Sequence, residues 1–166
     1  MHMKKFFLMM MAAVLVFGSC GVSESRADRQ AREAREAQTV RDNINNHKFT
    51  VNVNTMMPMR GPSKFLSDNY GVTVDGDKFV SFLPYFGQAT NLPYGGGSGL
   101  NFEAEVGAYS VQETRPGVFD VNIHVSTPED TFLYLFRIYD NGNASLQVQS
   151  RNRDQISFSG AMDLSK

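Results

Sequence analysis

Hydrophobic and polar residues alternate along most of the chain after residue 48. Side chains of a β-strand point to its two faces in turn, so this alternation predicts strands with one buried and one solvated face. The alternating runs are residues 49–53, 100–106, 119–125, 144–148 and 156–160. The pattern predicts a protein built mainly of β-strands, each packing one face on a common core.

Two dipeptides between apolar runs predict tight hairpins. Asp75-Gly76 joins the apolar residues at 72 and 74 to those from 79 onward, and Asn141-Gly142 joins the run 132–139 to the run 144–148. Such pairs readily adopt the positive φ angles that a two-residue turn between antiparallel strands requires. We therefore expect consecutive strands to lie side by side in antiparallel order.

These elements together define the predicted fold. About nine strands occupy roughly 115 residues with no helix-length amphipathic run between them, so βαβ units are not expected. We expect an all-β domain, an antiparallel meander closed as a small barrel or a sandwich. The run TFLYLFRIY at residues 131–139 is apolar at nearly every position. We expect it to be buried on both faces, beneath either a helical segment or an aromatic loop.

The segment from residue 23 to residue 46 differs in composition, being rich in Ala, Arg and Glu and free of aromatic residues. This composition favours a helix. Its apolar stripe is thin and offers little surface to bury. The stripe consists of Ala27, Ala31, Ala34, Val40 and Ile44. We therefore expect residues 20–46 to be a polar helical linker, a spacer between a membrane and a β-rich domain at residues 47–166.

The amino terminus has the features of a bacterial export signal. Two lysines precede an uncharged, mainly apolar run at residues 6–17, which is too short to cross a hydrocarbon layer of about 30 Å as a stable helix. A Gly-Ser pair then precedes Cys20, the single cysteine of the chain. The stretch VFGSCG resembles a lipobox, where lipoproteins receive a diacylglycerol on the cysteine thiol. Residues 1–19 are predicted to be a lipoprotein signal peptide; the alternative is a chance cysteine in an ordinary signal peptide.

Lipidation at Cys20 determines the expected location. Each buried methylene contributes about 0.8 kcal/mol, so two or three acyl chains anchor a protein stably. Residues 21–25, GVSES, lack the acidic run that resembles a surface-export signal. We expect a lipid-anchored protein of the cell envelope, attached to the outer membrane and facing the periplasm.

Charge and side-chain chemistry argue against several classes of function. The chain has 16 Lys and Arg against 17 Asp and Glu, without the clustered basic face that nucleic-acid binding requires. His47 and His124 are far apart and there is no second cysteine, so no metal site or other cofactor is predicted. No nucleophile and base stand out together, so a hydrolase is the least favoured hypothesis and we expect no enzymatic activity.

The segment SFLPYFGQATNLPYGGGSG at residues 81–99 is uncharged, rich in Pro and Gly, and strongly aromatic. Tyr85, Phe86 and Tyr94 either fold back to plug one end of the barrel or line a pocket mouth or partner patch, because exposed aromatic clusters mark interaction sites. We expect Phe86 to be buried, since Gly87 lets the chain turn back over it. We expect Tyr94 to be exposed among glycines. All three are candidate ligand- or partner-binding residues.

Two arginines near the carboxyl terminus are further candidates. Arg151 and Arg153 in SRNRD offer guanidinium groups that together clamp an anion, although a solvated loop explains the same pattern.

Several stretches occur together in one order: a lipobox, a polar linker, GDKFVSFLPYFGQ, PYGGGSGLNFE and IYDNGNASLQVQSRNRDQISFSG. With them the chain resembles a family of Bacteroidetes lipoproteins, domain-of-unknown-function family 4251, over residues 47–162. The resemblance implies an exported β-rich domain of unknown biochemical role and no catalytic residue. The matching positions are Tyr85, Phe86, Gly87, Tyr94, Gly95, Asn152, Arg153 and Gly160. Within this motif, an Arg153 fork that bonds carbonyls near residues 84–87 would tie the aromatic loop down.

Two functional hypotheses follow. In the first, the anchored domain binds a small apolar molecule or a partner in the periplasm. In the second, it is a structural envelope component that docks on another protein through the aromatic loop 84–98. The barrel interior distinguishes them, because an open calyx favours a ligand and an interior filled by side chains favours docking.

Overall fold

The computed structural model describes residues 25–67, 69–89 and 99–165. The predicted signal peptide, Cys20 and Tyr94 lie outside the described residues. Within these residues one helix, α1, spans Arg26–Asn45, inside the predicted helical segment. Nine strands follow: β1 Lys48–Pro58, β2 Lys64–Phe65, β3 Gly71–Asp75, β4 Lys78–Leu83, β5 Leu100–Arg115, β6 Val118–Ser126, β7 Thr131–Tyr139, β8 Asn143–Ser150 and β9 Ile156–Met162.

The strands form one closed antiparallel sheet. From β3 onward each strand pairs with the next one along the chain. β1 pairs with β3 on one side and with β9 on the other, where the register runs from Val51–Met162 to Pro58–Ile156. The two-residue β2 extends the edge of β1. The predicted all-β meander is confirmed, and it closes as an eight-stranded barrel rather than a sandwich.

Both predicted hairpins are present. Gly76 lies in the β3–β4 turn with a φ of 62°, and Gly142 lies in the β7–β8 turn with a φ of 80°. A residue with a Cβ is strained at these angles. The Asp-Gly and Asn-Gly dipeptides therefore marked the positions of the two turns, although Asp75 is the last residue of β3 and the β3–β4 turn itself is Gly76-Asp77.

Antiparallel order places the connections at two opposite ends of the barrel. The helix end carries the β3–β4, β5–β6 and β7–β8 turns. The loop end carries the β1–β2, β4–β5, β6–β7 and β8–β9 connections. The chain passes from α1 into β1 at the helix end, where Gly76 N donates a hydrogen bond to His47 O (2.9 Å).

The helix is divided between two units. In residues 25–31, Asp28 N donates to the Ser25 hydroxyl (3.1 Å), which caps the first turn. Residues 32–45 form a compact unit with the strands, and Val40 and Ile44 are buried in the common hydrophobic core. The expectation that the apolar stripe has too little surface to bury was wrong at these two positions, because few apolar side chains suffice to cover one end of a barrel.

The barrel interior is filled by aromatic side chains. Phe102 stacks on Phe132 with ring centroids 4.9 Å apart, and Tyr134 meets Phe79 edge-on at 4.7 Å. Tyr134 also lies 6.4 Å from both Phe102 and Phe136. These separations are typical of interacting rings. The five rings therefore form one connected set along the interior.

β7 carries the run that was expected to be buried on both faces. Its inward residues are buried, but the outward Leu133 and Leu135 are only half-buried and Tyr139 is exposed. This expectation was wrong. In a closed barrel a strand has one interior face, and the outward leucines lie beside the half-buried or exposed polar side chains of β6 and β8.

β5 has sixteen residues, and its two halves have different neighbours. Residues 100–105 pair with β4, and residues 106–115 pair with β6. The register with β6 shifts between Val106 and Ala108 and again between Glu113 and Arg115. Such bulges bend and twist a strand. Because β4 pairs only with the first half of β5, the β5–β6 hairpin extends beyond β4 at the helix end.

Candidate functional site at the loop end

Tyr85 lies just after β4 and attaches the following segment to the loop end of the barrel. Its ring is half-buried and packs against the hydrophobic core. Its hydroxyl donates to Gln88 O (2.8 Å) and contacts Asp154 O (3.2 Å). Gly87 leaves room for this hydroxyl, since a Cβ at position 87 would lie 2.6 Å from it.

Backbone hydrogen bonds hold the same segment to the β8–β9 loop. Ala89 forms an isolated antiparallel bridge with Arg153, and Asp154 N donates to Gln88 O (3.0 Å). In return, Gln88 N donates to the Asp154 carboxylate (3.3 Å). Residues 85–89 are therefore fixed to the barrel by both backbone and side-chain bonds.

Arg153 is the buried centre of the loop end. Its side chain is 4% exposed, and its Nε lies 3.5 Å from Oδ2 of Asp130, whose side chain is 2% exposed. Nη2 lies 3.7 Å from Glu129. The guanidinium carbon lies 5.6 Å from the Tyr85 ring centroid and 5.9 Å from that of Phe132. The buried cation therefore lies between two carboxylates and two aromatic rings.

The Asp130 carboxylate accepts several hydrogen bonds. Ser150 Oγ donates to Oδ2 (2.6 Å), while Thr131 N (2.8 Å) and Asn152 Nδ2 (3.4 Å) donate to Oδ1. Arg153 Nε, in contrast, is buried without a hydrogen-bond partner, although it lies 3.5 Å from Asp130 Oδ2. The cluster joins the β6–β7, β8–β9 and β4–β5 connections. Its contacts therefore stabilise the loop end of the barrel.

The electrostatics of the cluster favour neutral Tyr85. Burial raises the pKa of its phenol above the usual value of 10.0, and the nearby Asp154 carboxylate raises it further. The phenol therefore stays protonated at neutral pH and serves as a hydrogen-bond donor. Within residues 25–67, 69–89 and 99–165, no group of three or more His, Cys, Asp or Glu side chains is arranged to hold a metal ion.

Three exposed aromatic residues lie on elements of the loop end: on β2, near the end of β4 and just after β4. Phe65 is 92% exposed, Phe82 49% and Phe86 56%. Phe82 stacks on Tyr70 with centroids 5.1 Å apart, and Lys64 Nζ lies 3.8 Å above the Phe86 ring. We call Phe65, Tyr70, Phe82 and Phe86 the aromatic strip. Exposed aromatic residues on elements that meet at one end of a barrel are candidates for an interaction surface.

The candidate residues of the loop end differ in burial. Phe86, expected to be buried, is exposed, so that prediction was wrong; the neighbouring Tyr85 packs inward because its hydroxyl finds partners there. Arg153 is buried, whereas Arg151 is exposed and lines a surface depression with Gln88 and Asn152. The Arg153 guanidinium pairs with Glu129 and Asp130 in place of the expected loop carbonyls.

Sequence reasoning missed three important residues. Phe82 breaks the alternation of β4, since it faces outward between the inward Ser81 and Leu83. An apolar residue at an outward position could have been recognised from the sequence. Phe65 lies in a strand of only two residues, too short to produce a pattern. Asp130 lies in a STPED turn, where a carboxylate is expected for turn chemistry alone.

Comparison with known proteins identifies the family. A family model for a domain of unknown function, DUF4251, matches residues 31–162. The chain belongs to the DUF4251 family. A crystal structure of a DUF4251 family protein from Bacteroides eggerthii DSM 20697 is similar in fold, with a TM-score of 0.61 and 16% identity, covering 80% of this chain and 90% of that chain. No curated protein matches the chain.

The DUF4251 match includes features that the fold explains. It begins within α1 and so contains Val40 and Ile44, which the resemblance over residues 47–162 had left out. It also contains Gly160 of β9, where a Cβ would collide with the backbone of Asn52 on β1. This chain thus needs a glycine where β1 and β9 close the barrel. The helix that the structure describes is not long and apolar enough to cross a membrane.

Proposed function

We propose that this DUF4251 protein is a lipid-anchored, non-enzymatic component of the cell envelope that docks on another protein through its aromatic strip. Cys20 supplies the anchor in this proposal, and the domain faces the periplasm from the outer membrane. Anchoring restricts the domain to a layer near the membrane, which raises its effective concentration toward a partner in the same layer.

The observation that carries the proposal is the filled barrel. The connected rings of Phe79, Phe102, Phe132, Tyr134 and Phe136 occupy the space in which a calyx would hold its ligand. An eight-stranded barrel is just wide enough for side chains to fill it. The apolar surface that is free to contact another molecule is therefore on the outside, where Phe65 and Phe86 are exposed.

The chemistry around the strip indicates the kind of partner. Residues 56–66, MMPMRGPSKFL, contain Arg60 and Lys64 and no carboxylate. Aromatic rings beside cations suit a protein surface with an apolar pocket and an acidic rim, because buried aromatics supply affinity and opposite charges guide the approach. The bonds that fix residues 85–89 hold Phe86 in place before binding, which lowers the entropic cost of association.

Site-specific photo-crosslinking in cells tests the docking surface. A benzoylphenylalanine in place of Phe65 should form an adduct with one discrete protein. The same group in place of Tyr139, an exposed aromatic outside the strip, is the matched control and should not form that adduct. Adding Phe82→Ser or Lys64→Glu to the Phe65 probe should reduce the adduct about tenfold or more, as expected of a contact centre.

Other outcomes would contradict the proposal. An adduct of equal yield from both positions, or a yield insensitive to Phe82→Ser, would show that the strip is not the docking surface. Native mass spectrometry of the intact protein provides a second check. A small apolar molecule retained by the wild type and lost on Phe102→Ala would instead support ligand binding within the barrel.

A further inference from the structure

The second half of β5 has a backbone edge that no described strand occupies. β4 pairs with β5 only as far as Glu105, and Val106 N still donates to Asp77 O (2.8 Å) beyond that point. From residue 107 to residue 115, the described strands pair with β5 on the β6 side alone. Among the residues that the structure describes, the opposite edge of this segment is therefore open to another strand.

This edge lacks part of the usual protection against pairing. Edge strands in soluble proteins are commonly shortened or protected by lysine or proline. The segment GAYSVQE at residues 107–113 contains neither residue and only one charge. Its residues are exposed apart from the half-buried Tyr109. The two bulges lie at its ends, so the register between Ala108 and Glu113 is regular.

Contacts with the end of α1 and with His47, just after it, support the hairpin. The Tyr109 hydroxyl donates to Ile44 O (2.9 Å), and its ring lies 3.8 Å from that of His47. Arg41 pairs with Glu113 (3.6 Å). These contacts use side chains of β5, so they steady the hairpin without pairing with its outer backbone edge.

We propose that this edge pairs with the same edge of a second copy of the protein, antiparallel about a two-fold axis at Ser110. In this register Tyr109 of each copy lies opposite Val111 of the other. Ala108 lies opposite Gln112, and Gly107 lies opposite Glu113. The pairing covers the segment between the two bulges and joins the two barrels into one continuous sheet.

The edge is complementary to itself, which favours a second copy over a foreign strand. Two-fold pairing forms the aromatic–β-branched pair Tyr109–Val111 twice, and such cross-strand pairs stabilise antiparallel sheets. It gives Val111, which is 39% exposed, an apolar neighbour. No like charges lie opposite each other, because Glu113 faces Gly107. This interface is separate from the aromatic strip and goes beyond the proposed docking function.

Disulfide cross-linking in membranes from expressing cells tests both the pairing and its register. In Ser110→Cys the two thiols lie directly opposite, where strand geometry brings Cα atoms to about 4.5–5.5 Å, within disulfide range. In the matched control Gln112→Cys, the two thiols are four residues apart along the strand, about 14 Å. We expect Ser110→Cys to cross-link at least about tenfold more than Gln112→Cys. The wild-type chain is the control for background cross-linking, because its single cysteine is Cys20.

A mass measurement on the detergent-solubilised full chain completes the test. The wild type should be a dimer, and Val111→Lys, an exposed change that keeps the fold, should shift it to a monomer. Equal cross-linking of the two cysteine variants would overturn the proposal. A wild type that is monomeric at every concentration measured would also overturn it. The same holds if the edge binds a strand of a different protein and the chain stays monomeric.

Discussion

Tyr85 and Phe86 are adjacent in the chain and differ by one hydroxyl, yet Tyr85 packs inward and Phe86 outward. The hydroxyl explains the difference. At the loop end the inward position lies beside Gln88 O and Asp154 O, to which a phenol can donate a hydrogen bond and a phenyl ring cannot. A hydrogen bond contributes about 0.5–1.5 kcal/mol to stability, so these contacts favour the inward position for the tyrosine.

The two residues should therefore respond differently to truncation. We expect Tyr85→Ala to lower the free energy of unfolding by about 2–4 kcal/mol, since it removes a half-buried ring and its hydrogen bonds. Phe86→Ala should cost less than about 1 kcal/mol, the scale of an exposed cation–π contact. Urea denaturation of the two variants measures the difference. A larger loss of unfolding free energy for Phe86→Ala than for Tyr85→Ala would show that Phe86, and not Tyr85, holds the loop end together.

At the scale of elements, α1 shows how a polar helix contributes to a core. Most of its side chains are exposed, and its last two turns supply Val40 and Ile44 to the hydrophobic core at the helix end. The barrel provides the apolar surroundings that the helix lacks. Residues 32–45 are thus part of the folded domain rather than a solvated spacer.

This role predicts a large effect of one helical side chain. Ile44→Ala should destabilise the domain by about 2–5 kcal/mol, as expected when a buried aliphatic group leaves a cavity. Gln38→Ala, on the exposed side of the same helix, is the matched control and should change stability by less than about 0.5 kcal/mol. Thermal and urea unfolding compare the two. Equal effects would mean that the helix does not cover the barrel end.

At the scale of the whole molecule, the proposed lipidation at Cys20 would decide where the barrel acts. Cys20→Ser removes the thiol that would carry the diacylglycerol in this proposal. We expect the wild type to fractionate with membranes and to incorporate labelled fatty acid, and the variant to do neither. Membrane fractionation with metabolic lipid labelling makes the measurement. A wild type that incorporates no label, or a variant still bound to membranes, would remove the anchor from the proposal.

The sequence by itself determined the elements and the fold class. Alternation with a period of two, together with the Asp75-Gly76 and Asn141-Gly142 turns, is a local property that backbone geometry imposes directly. Consecutive antiparallel strands then leave few ways to close the sheet. The order of the LPYFG, PYGG and NG elements also indicated the DUF4251 family, which the match over residues 31–162 confirms.

Only the tertiary structure decided which side chains those elements bring together. The pairing of Arg153 with Asp130 joins residues 23 positions apart in two loops, and the burial of Ile44 depends on a barrel end built by distant strands. The choice of Tyr85 over Phe86 depends on acceptors in the β8–β9 loop. Local patterns report how one strand divides its faces, whereas burial and pairing depend on neighbours that the chain meets only after the barrel has closed.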